Sequence, residues 1–242
     1  MEMDVMQLRI DKFLADMGIG TRSQVKEYIR CGRVSLNGKI IKDSSVKADC
    51  DKDTVTFDGK NISYADYEYY IINKPAGVVS ATEDRNTKTV VDLIESRRKD
   101  LFPVGRLDKD TEGLLLITND GDLAHRLLSP RNHVDKEYYV ETDGRITDEH
   151  VRLMAEGFKV DDELTALPAR LLILEASGNH SEALITIHEG KFHQIKRMMA
   201  AVGCQVTYLK RLSMGNLRLP DELKPGEYRE LTTSEINKLK EN

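Results

Sequence analysis

The chain has 242 residues, of which 40% are hydrophobic and 32% charged, and its formal net charge is -5. This composition is typical of a folded chain of one or two domains and excludes a disordered one. No apolar run reaches the roughly 18 residues that a membrane-spanning helix needs, and residues 1–6 lack the basic start of a signal peptide. We therefore expect a cytoplasmic protein with no membrane partner.

The three cysteines, Cys31, Cys50 and Cys204, are odd in number and form no Cys-x-x-Cys pair. A disulfide framework or a zinc site of paired cysteines is therefore not expected. The histidines show no metal-ligand spacing on one predicted helix, and neither a dinucleotide-binding fingerprint nor a P-loop occurs. The sequence thus predicts no metal and no cofactor.

Two short helices and a hairpin are predicted first. Apolar residues at positions i, i+3, i+4 and i+7 form one face of the first helix: Ile10, Phe13, Leu14 and Met17. Thr21 and Gln24 form a capping-box pattern that begins the second helix. Asn37-Gly38 between two alternating runs predicts a β-hairpin.

The charge is unevenly distributed along this part of the chain. Residues 7–47 contain nine basic and four acidic residues, a net charge of +5 on an otherwise acidic protein. Such a basic segment favours binding to phosphates, although a solvated helix face remains an alternative. The candidate RNA-binding residues here are Arg9, Arg22, Lys26, Arg30 and Arg33.

Three segments of the same region resemble an S4 RNA-binding domain. They are Arg-Ile-Asp-Lys-Phe-Leu at 9–14, Thr-Arg-Ser-Gln at 21–24 and Gly-Arg-Val-Ser-Leu-Asn-Gly at 32–38. The resemblance implies a small, αL-like domain over residues 1–64 that docks on structured RNA. It implies no chemistry.

Residues 65–242 predict more strands than helices, many of them joined by short turns. The predicted strands are 69–73, 114–118, 136–140, 171–175 and 182–187, and the predicted helices are 123–128 and 193–202. We therefore expect an α+β domain with a mixed, mostly antiparallel sheet.

Residues 105–113 carry most of the charged groups that could support chemistry, directly before a predicted buried strand. A calcium loop beginning at Asp108 is excluded because its twelfth position is Asn119 rather than Glu. A glycosidase pair of Asp108 and Asp110 is also rejected, because alternating positions on a strand face opposite sides. A second basic cluster lies at the start of the last predicted helix and comprises Lys191, His193, Lys196 and Arg197.

One stretch of the chain resembles the signature of pseudouridine synthases: Gly105-Arg106-Leu107-Asp108 followed by Thr111-x-Gly113-Leu114-Leu115. Together with residues 73–77 (Asn-Lys-Pro-Ala-Gly) and 190–203, it is similar to the branch named for the ribosomal small-subunit enzyme RsuA. Enzymes of this kind isomerise uridine within RNA, and an S4 domain ahead of the body belongs to the same architecture. The resemblance therefore implies a pseudouridine synthase catalytic domain over residues 65–242.

The resemblance also implies roles for particular residues. Asp108 matches the catalytic aspartate, and Arg106 matches the arginine that helps hold the flipped substrate. Tyr138 matches the tyrosine that stacks near the uracil, while Lys196 stands where a basic residue pairs with the aspartate. We expect Lys191, His193 and Arg197 to bind RNA.

The expected substrate is 16S rRNA, free or in a small-subunit assembly particle, because residues 207–211 look more like the small-subunit branch. Large-subunit rRNA and tRNA are the alternative substrates. A non-catalytic RNA-binding ribosome-assembly factor is the alternative class. A monomer is expected.

Overall fold

The computed structural model describes residues 7–50, 52–64, 67–96 and 98–241. These residues form two compact units, one made of the chain up to Tyr67 together with Glu95–Leu101 and the other of Glu68–Ile94 together with the chain from Phe102 onwards. The first unit thus contains residues 95–101, which the sequence prediction had placed in the catalytic domain. Among the described residues, no helix is both long and apolar enough to cross a membrane.

Short strands and two helices build the N-terminal unit. In chain order they are β1 (Gln7–Arg9), α1 (Ile10–Asp16), α2 (Arg22–Arg30), β2 (Val34–Leu36), β3 (Lys39–Ile40), β4 (Lys47–Asp49), β5 (Val55–Phe57) and β6 (Lys60–Ile62). One sheet has the order β3-β2-β5-β6, and β1 pairs with β4.

The predicted local signals are confirmed in this unit. The apolar face of α1 is buried against Val25 and Ile29 of α2. The Thr21 amide donates to Gln24 Oε1 at 2.9 Å, and the Gln24 amide donates to Thr21 Oγ1 at 3.3 Å, which completes the capping box. Asn37 and Gly38 join β2 to β3 with φ angles of 50° and 79°, as a two-residue hairpin turn of type I′ requires.

The larger unit contains four α-helices and eleven strands among its described residues, besides two short 3-10 helices at Val91–Leu93 and Pro130–Asn132. They are β7 (Tyr69–Lys74), β8 (Phe102–Val104), β9 (Glu112–Thr118), α3 (Gly121–Leu128), β10 (Lys136–Asp143), α4 (Asp148–Glu156), β11 (Phe158–Lys159), β12 (Thr165–Ala166), β13 (Arg170–Ser177), β14 (His180–Ile187), α5 (Gln194–Ala201), β15 (Gln205–Met214), β16 (Leu217–Arg218), β17 (Tyr228–Glu230) and α6 (Thr233–Lys240).

A single large sheet organises this unit. Its strand order is β13-β14-β10-β15-β9-β7-β17, with β8 beside β9 and β16 beside β15. Among the described strands of this sheet, only β15 and β9 pair in parallel. The prediction of an α+β fold with a mixed, mostly antiparallel sheet is therefore confirmed. Ile71, Leu114 and Leu116 pack with Leu123 of α3 and Leu239 of α6 to form its core.

Some elements differ from the sequence prediction. Strand β15 is not predicted because charged residues interrupt its apolar pattern, and one of them, Arg211, is nevertheless buried. Asp120 is the N-cap of α3 and also accepts a hydrogen bond from the Tyr69 hydroxyl at 2.8 Å. The cap satisfies a helix amide that would otherwise lack a partner.

Candidate active site

The charged loop, residues 105–111, lies between β8 and β9 and is held in place by hydrogen bonds to neighbouring residues. Leu107 is buried, and Ser80 contacts it twice, donating through Oγ to the Leu107 carbonyl at 2.9 Å and accepting from the Leu107 amide at 3.0 Å. The Gly77 amide donates to the Lys109 carbonyl at 2.7 Å. Asp108 therefore lies between two residues whose backbones are anchored.

Lys74, at the end of β7, supports the same loop from inside. Its fully buried ammonium donates to the carbonyls of Thr111 at 2.7 Å, Pro75 at 3.1 Å and Lys109 at 3.3 Å. Burial lowers the pKa of the Lys74 amine to about 8, although nearby carboxylates, Asp110 first among them, act to raise it. Lys74 belongs to the Asn-Lys-Pro-Ala-Gly block, but sequence reasoning gave it no role.

Lys196 on α5 joins the two aspartates of the loop. Its Nζ lies 3.1 Å from Asp108 Oδ2 and 2.6 Å from Asp110 Oδ1. The hydrogen bond from Lys196 holds the pKa of Asp110 below its usual range. Burial acts to lower the pKa of Lys196, but its contacts with both carboxylates raise it overall. The expectation that Asp108 and Asp110 face opposite sides is wrong, because both lie in a turn rather than in a strand.

One pocket brings together the four residues predicted to be catalytic. Its lining includes Arg106, Asp108, Tyr138 and Lys196, together with Thr111. Tyr138 is buried on β10, where it is paired with Ile185 of β14 and Arg211 of β15. Arg106 is exposed, and Asp108 keeps about a quarter of its side chain accessible, 26%. A ligand can thus reach the carboxylate.

Thr111 is a pocket residue to which sequence reasoning gave no role. Its side-chain oxygen is buried and has no hydrogen-bond partner among the described residues. Its backbone closes the turn, since the Thr111 amide donates to the Asp108 carbonyl at 3.1 Å. The sequence signal that could have identified Thr111 is its position three residues after Asp108, in the stretch that resembles the pseudouridine synthase signature.

The second basic cluster divides into two kinds of residue. His193, with Nε2 at 3.6 Å from Asp108 Oδ1, faces the pocket. Arg197 instead holds Asp161, through Nε at 2.8 Å and Nη2 at 2.5 Å, and Lys191 binds the Thr165 carbonyl at 2.9 Å and Glu189 at 3.0 Å. The structure therefore shows Lys191 and Arg197 engaged by protein acceptors.

The basic residues of the N-terminal unit also differ in their partners. Arg9 is bound by Asp11, Arg30 by Glu27 and Arg33 by Asp58. The Arg33 guanidinium also lies 4.5 Å from the ring centroid of Tyr28 and 4.6 Å from that of Phe57. Arg22 and Lys26 are exposed on α2 and form no ion pair with the part of the chain that is described.

Among the described side chains, no three His, Cys, Asp or Glu residues are grouped so that they could hold a metal ion. The pocket instead offers a carboxylate beside a cation, with a tyrosine and an arginine close by. Such a carboxylate can act as a nucleophile or as a base toward a bound substrate.

Comparison with known proteins identifies the family. Residues 8–55 match the model of the S4 domain, and residues 68–201 match that of RNA pseudouridylate synthase. With the mixed sheet, these matches define an RNA-modifying enzyme that carries a separate RNA-binding domain. The chain belongs to the RNA pseudouridine synthase family, and its S4 domain and pseudouridine synthase domain confirm the predicted resemblance.

Full-length relatives carry names for both ribosomal subunits. The chain is 47% identical to an uncharacterized RNA pseudouridine synthase, YtzG, of Bacillus subtilis, over 97% of this chain and 99% of the relative. It is 39% identical to ribosomal small subunit pseudouridine synthase A of Vibrio vulnificus, over 96% and 99%. It is 36% identical to ribosomal large subunit pseudouridine synthase B of Bacillus subtilis, over 96% and 95%.

A solved crystal structure of a pseudouridylate synthase has a similar fold. It superposes with a TM-score of 0.67 at 37% identity, over 96% of this chain and 99% of that one. The two-unit architecture is therefore that of a known pseudouridine synthase.

Proposed function

We propose that this pseudouridine synthase isomerises a uridine of 16S rRNA and that Asp108 is its catalytic carboxylate. The observation that carries the role of Asp108 is its contact with Lys196 at 3.1 Å inside a pocket that Tyr138 and Arg106 also line. A charge-assisted hydrogen bond of this kind orients a carboxylate while leaving one oxygen available. His193 lies 3.6 Å from the other oxygen of Asp108.

The reaction breaks the N1–C1′ bond of uridine, turns the uracil and joins its C5 to C1′. The proton on C5 is then lost and N1 gains one, so that the product is an isomer of the substrate. Asp108 takes part as a nucleophile on the sugar or base, or as the base that removes a proton. Lys196 and the anchored loop keep its carboxylate in one place throughout.

The target uridine must leave its stack to reach Asp108. Flipping a base costs a few kcal/mol, and stacking on aromatic side chains offsets this cost. In the proposed complex Tyr138 lies beside the uracil, and the exposed Arg106 helps hold the flipped nucleotide at the pocket mouth. His193 contributes a further RNA contact.

The N-terminal domain, residues 1–64, is proposed to dock on structured RNA, and residues 65–242 to carry out the chemistry. Arg22 and Lys26 are the best candidates for phosphate contacts, because they are exposed on α2. The other candidate cations already bind acidic or carbonyl groups of the protein, and they would have to share or exchange these partners to bind RNA. They are Arg9, Arg30 and Arg33 of the N-terminal domain, and Lys191 and Arg197 of the larger domain. We propose that the enzyme acts as a cytoplasmic monomer.

The small-subunit assignment is supported by the 39% identical relative named for that subunit, while the 36% identical relative named for the large subunit makes 23S rRNA the alternative. Tritium release from RNA labelled at uridine C5 tests both, because C5 loses its hydrogen only when the base is rejoined through that carbon. Small-subunit precursor particles, 23S rRNA and tRNA would be compared in parallel. Release from the large-subunit rRNA alone would overturn the small-subunit assignment.

Two aspartate variants test the role of Asp108 in the same assay. Asp108→Asn and Asp110→Asn remove the same charge, from the same turn, beside the same Lys196. We expect Asp108→Asn to lose at least about a thousandfold in rate and Asp110→Asn to remain active. Equal rates for the two variants would refute the assignment. RNA binding by the wild type without release from any of the three RNAs would indicate a non-catalytic assembly factor.

A further inference from the structure

Phe192 is an aromatic side chain held in solvent beside the candidate active site. It is 74% exposed, more than any other large hydrophobic side chain in the described part of the chain. With Arg106, Asp108 and His193 it lines a cleft that adjoins the pocket. Leaving such a ring in water forgoes the stabilisation that burial would provide.

The backbone around Phe192 is anchored, so the exposure of its ring does not result from a loose loop. The Lys191 amide donates to Gln194 Oε1 at 3.0 Å, and the Gln194 amide donates back to the Lys191 carbonyl at 3.1 Å. Arg197 Nη1 donates to the Phe192 carbonyl at 3.4 Å, and Asp161 holds the same guanidinium. These contacts present the ring on a fixed base.

His193 connects this ring with the pocket. The rings of Phe192 and His193 are stacked, with centroids 3.8 Å apart and planes inclined by 20°. His193 adopts a left-handed backbone conformation, with φ of 50°, which is unfavourable for a residue other than glycine. His193 Nε2 also lies 3.6 Å from Asp108 Oδ1, so the two stacked rings extend from Asp108 to the solvent-facing side of Phe192.

We propose that the outer face of Phe192 stacks on the nucleobase adjacent in sequence to the target uridine. This inference rests on the proposed function, in which the target uridine lies against Asp108. The adjoining nucleotide is covalently attached to the target, and it loses a stacking neighbour when the target base is flipped out. An aromatic face replaces that neighbour for any of the four bases.

Charge supports RNA as the occupant of this cleft. The exposed Arg106 and Lys109 line it together with Phe192 and provide cations near a phosphate backbone, whereas Lys191 at the same cleft already binds Glu189. Phe192 is thus a substrate-binding residue that tolerates different sequences, whereas Tyr138 is placed to contact the target base itself.

The test uses the full chain with Phe192→Ala, Phe192→Leu and Phe192→Tyr. Leu172→Ala serves as the control, because it truncates another exposed hydrophobic side chain, 54% accessible, on strand β13. The substrate is the rRNA fragment that the wild type modifies, either intact or with an abasic residue on one side of the target uridine. Initial tritium release gives kcat/KM, and fluorescence anisotropy gives the Kd of each fragment.

We expect Phe192→Ala and Phe192→Leu to lower kcat/KM about 5- to 100-fold on the intact fragment, with Phe192→Tyr and Leu172→Ala close to the wild type. An abasic residue on the stacked side should slow the wild type by a similar factor and leave Phe192→Ala unchanged. Full activity of Phe192→Leu would overturn the proposal, as would equal losses for the wild type and Phe192→Ala on both abasic fragments. If the wild type binds RNA without turnover, the proposed function fails. The Kd of the bound RNA then decides whether Phe192 contacts RNA: weaker binding by Phe192→Ala and Phe192→Leu than by Leu172→Ala would support the contact, and equal binding by all variants would overturn it.

Discussion

Substitution of Gly113 by alanine tests how tightly the candidate site is tied to the central sheet. Gly113 lies in β9, beside Lys74 of β7 and Arg211 of β15, with φ of 102°. An added Cβ would lie 2.3 Å from the Arg211 carbonyl oxygen and 2.6 Å from its amide nitrogen. Both atoms belong to the backbone, so no side-chain rotation relieves the overlap.

The expected loss of stability has two parts. The unfavourable φ costs about 1–2 kcal/mol for a residue with a Cβ. Strand β15 must also move by about 1 Å to restore normal contact distances. That movement weakens the hydrogen bond from Arg211 Nε to the Leu114 carbonyl, now 2.7 Å, and a buried bond to a charged group contributes about 1.5–3 kcal/mol. We therefore expect Gly113→Ala to lower the free energy of unfolding by about 3–5 kcal/mol.

Gly178→Ala is the matched control, because Gly178 also has a positive φ, 56°, but no atom lies within 4 Å of its added Cβ. It should cost only the backbone part, about 1 kcal/mol. Urea denaturation followed by circular dichroism would be measured for the wild type and both variants. A loss for Gly113→Ala no larger than that for Gly178→Ala would refute the reasoning.

Two further substitutions test the loop support and a C-terminal ion pair. Lys74→Met removes the amine that binds the Lys109 and Thr111 carbonyls, which directly follow Asp108 in the loop. We therefore expect kcat to fall about 10- to 100-fold with little change in KM, and a change in KM alone would contradict this. Hydrogen bonds from Arg229 hold the pKa of Glu235 at about 2, below its usual 4.5. Its stabilisation is therefore present above pH 4.5 and lost as the pH falls toward 2, and Glu235→Gln should remove up to about 3 kcal/mol of this pH-dependent stability. Parallel pH dependences of unfolding for the wild type and Glu235→Gln, measured between pH 3 and pH 6, would contradict it.

Local sequence signals predicted the N-terminal unit well. The capping box at Thr21 and Gln24 and the turn at Asn37-Gly38 form from neighbouring residues, so their residue types are sufficient to predict them. Strand β15 could not be predicted in this way. It includes Arg211, whose buried guanidinium depends on the Leu114 carbonyl of a strand distant in sequence.

The candidate site shows the same division. Resemblance to a family indicated Asp108, Arg106, Tyr138 and Lys196, and the structure places all four around one pocket, while their roles remain proposals. The common contact of Asp108 and Asp110 with Lys196 contradicted the argument from strand alternation, because the turn had been taken for a strand.

By itself the sequence determined the family, the two-domain order and the short-range elements, because these depend on residue types at fixed spacings along the chain. Only the tertiary structure decided which charged side chains reach the candidate site and which are held by other parts of the protein. Arg197 and Lys196 are adjacent in sequence and carry the same charge, yet one binds Asp161 and the other reaches Asp108. Successive residues on a helix point in different directions, so their partners depend on the strands and loops that pack around α5.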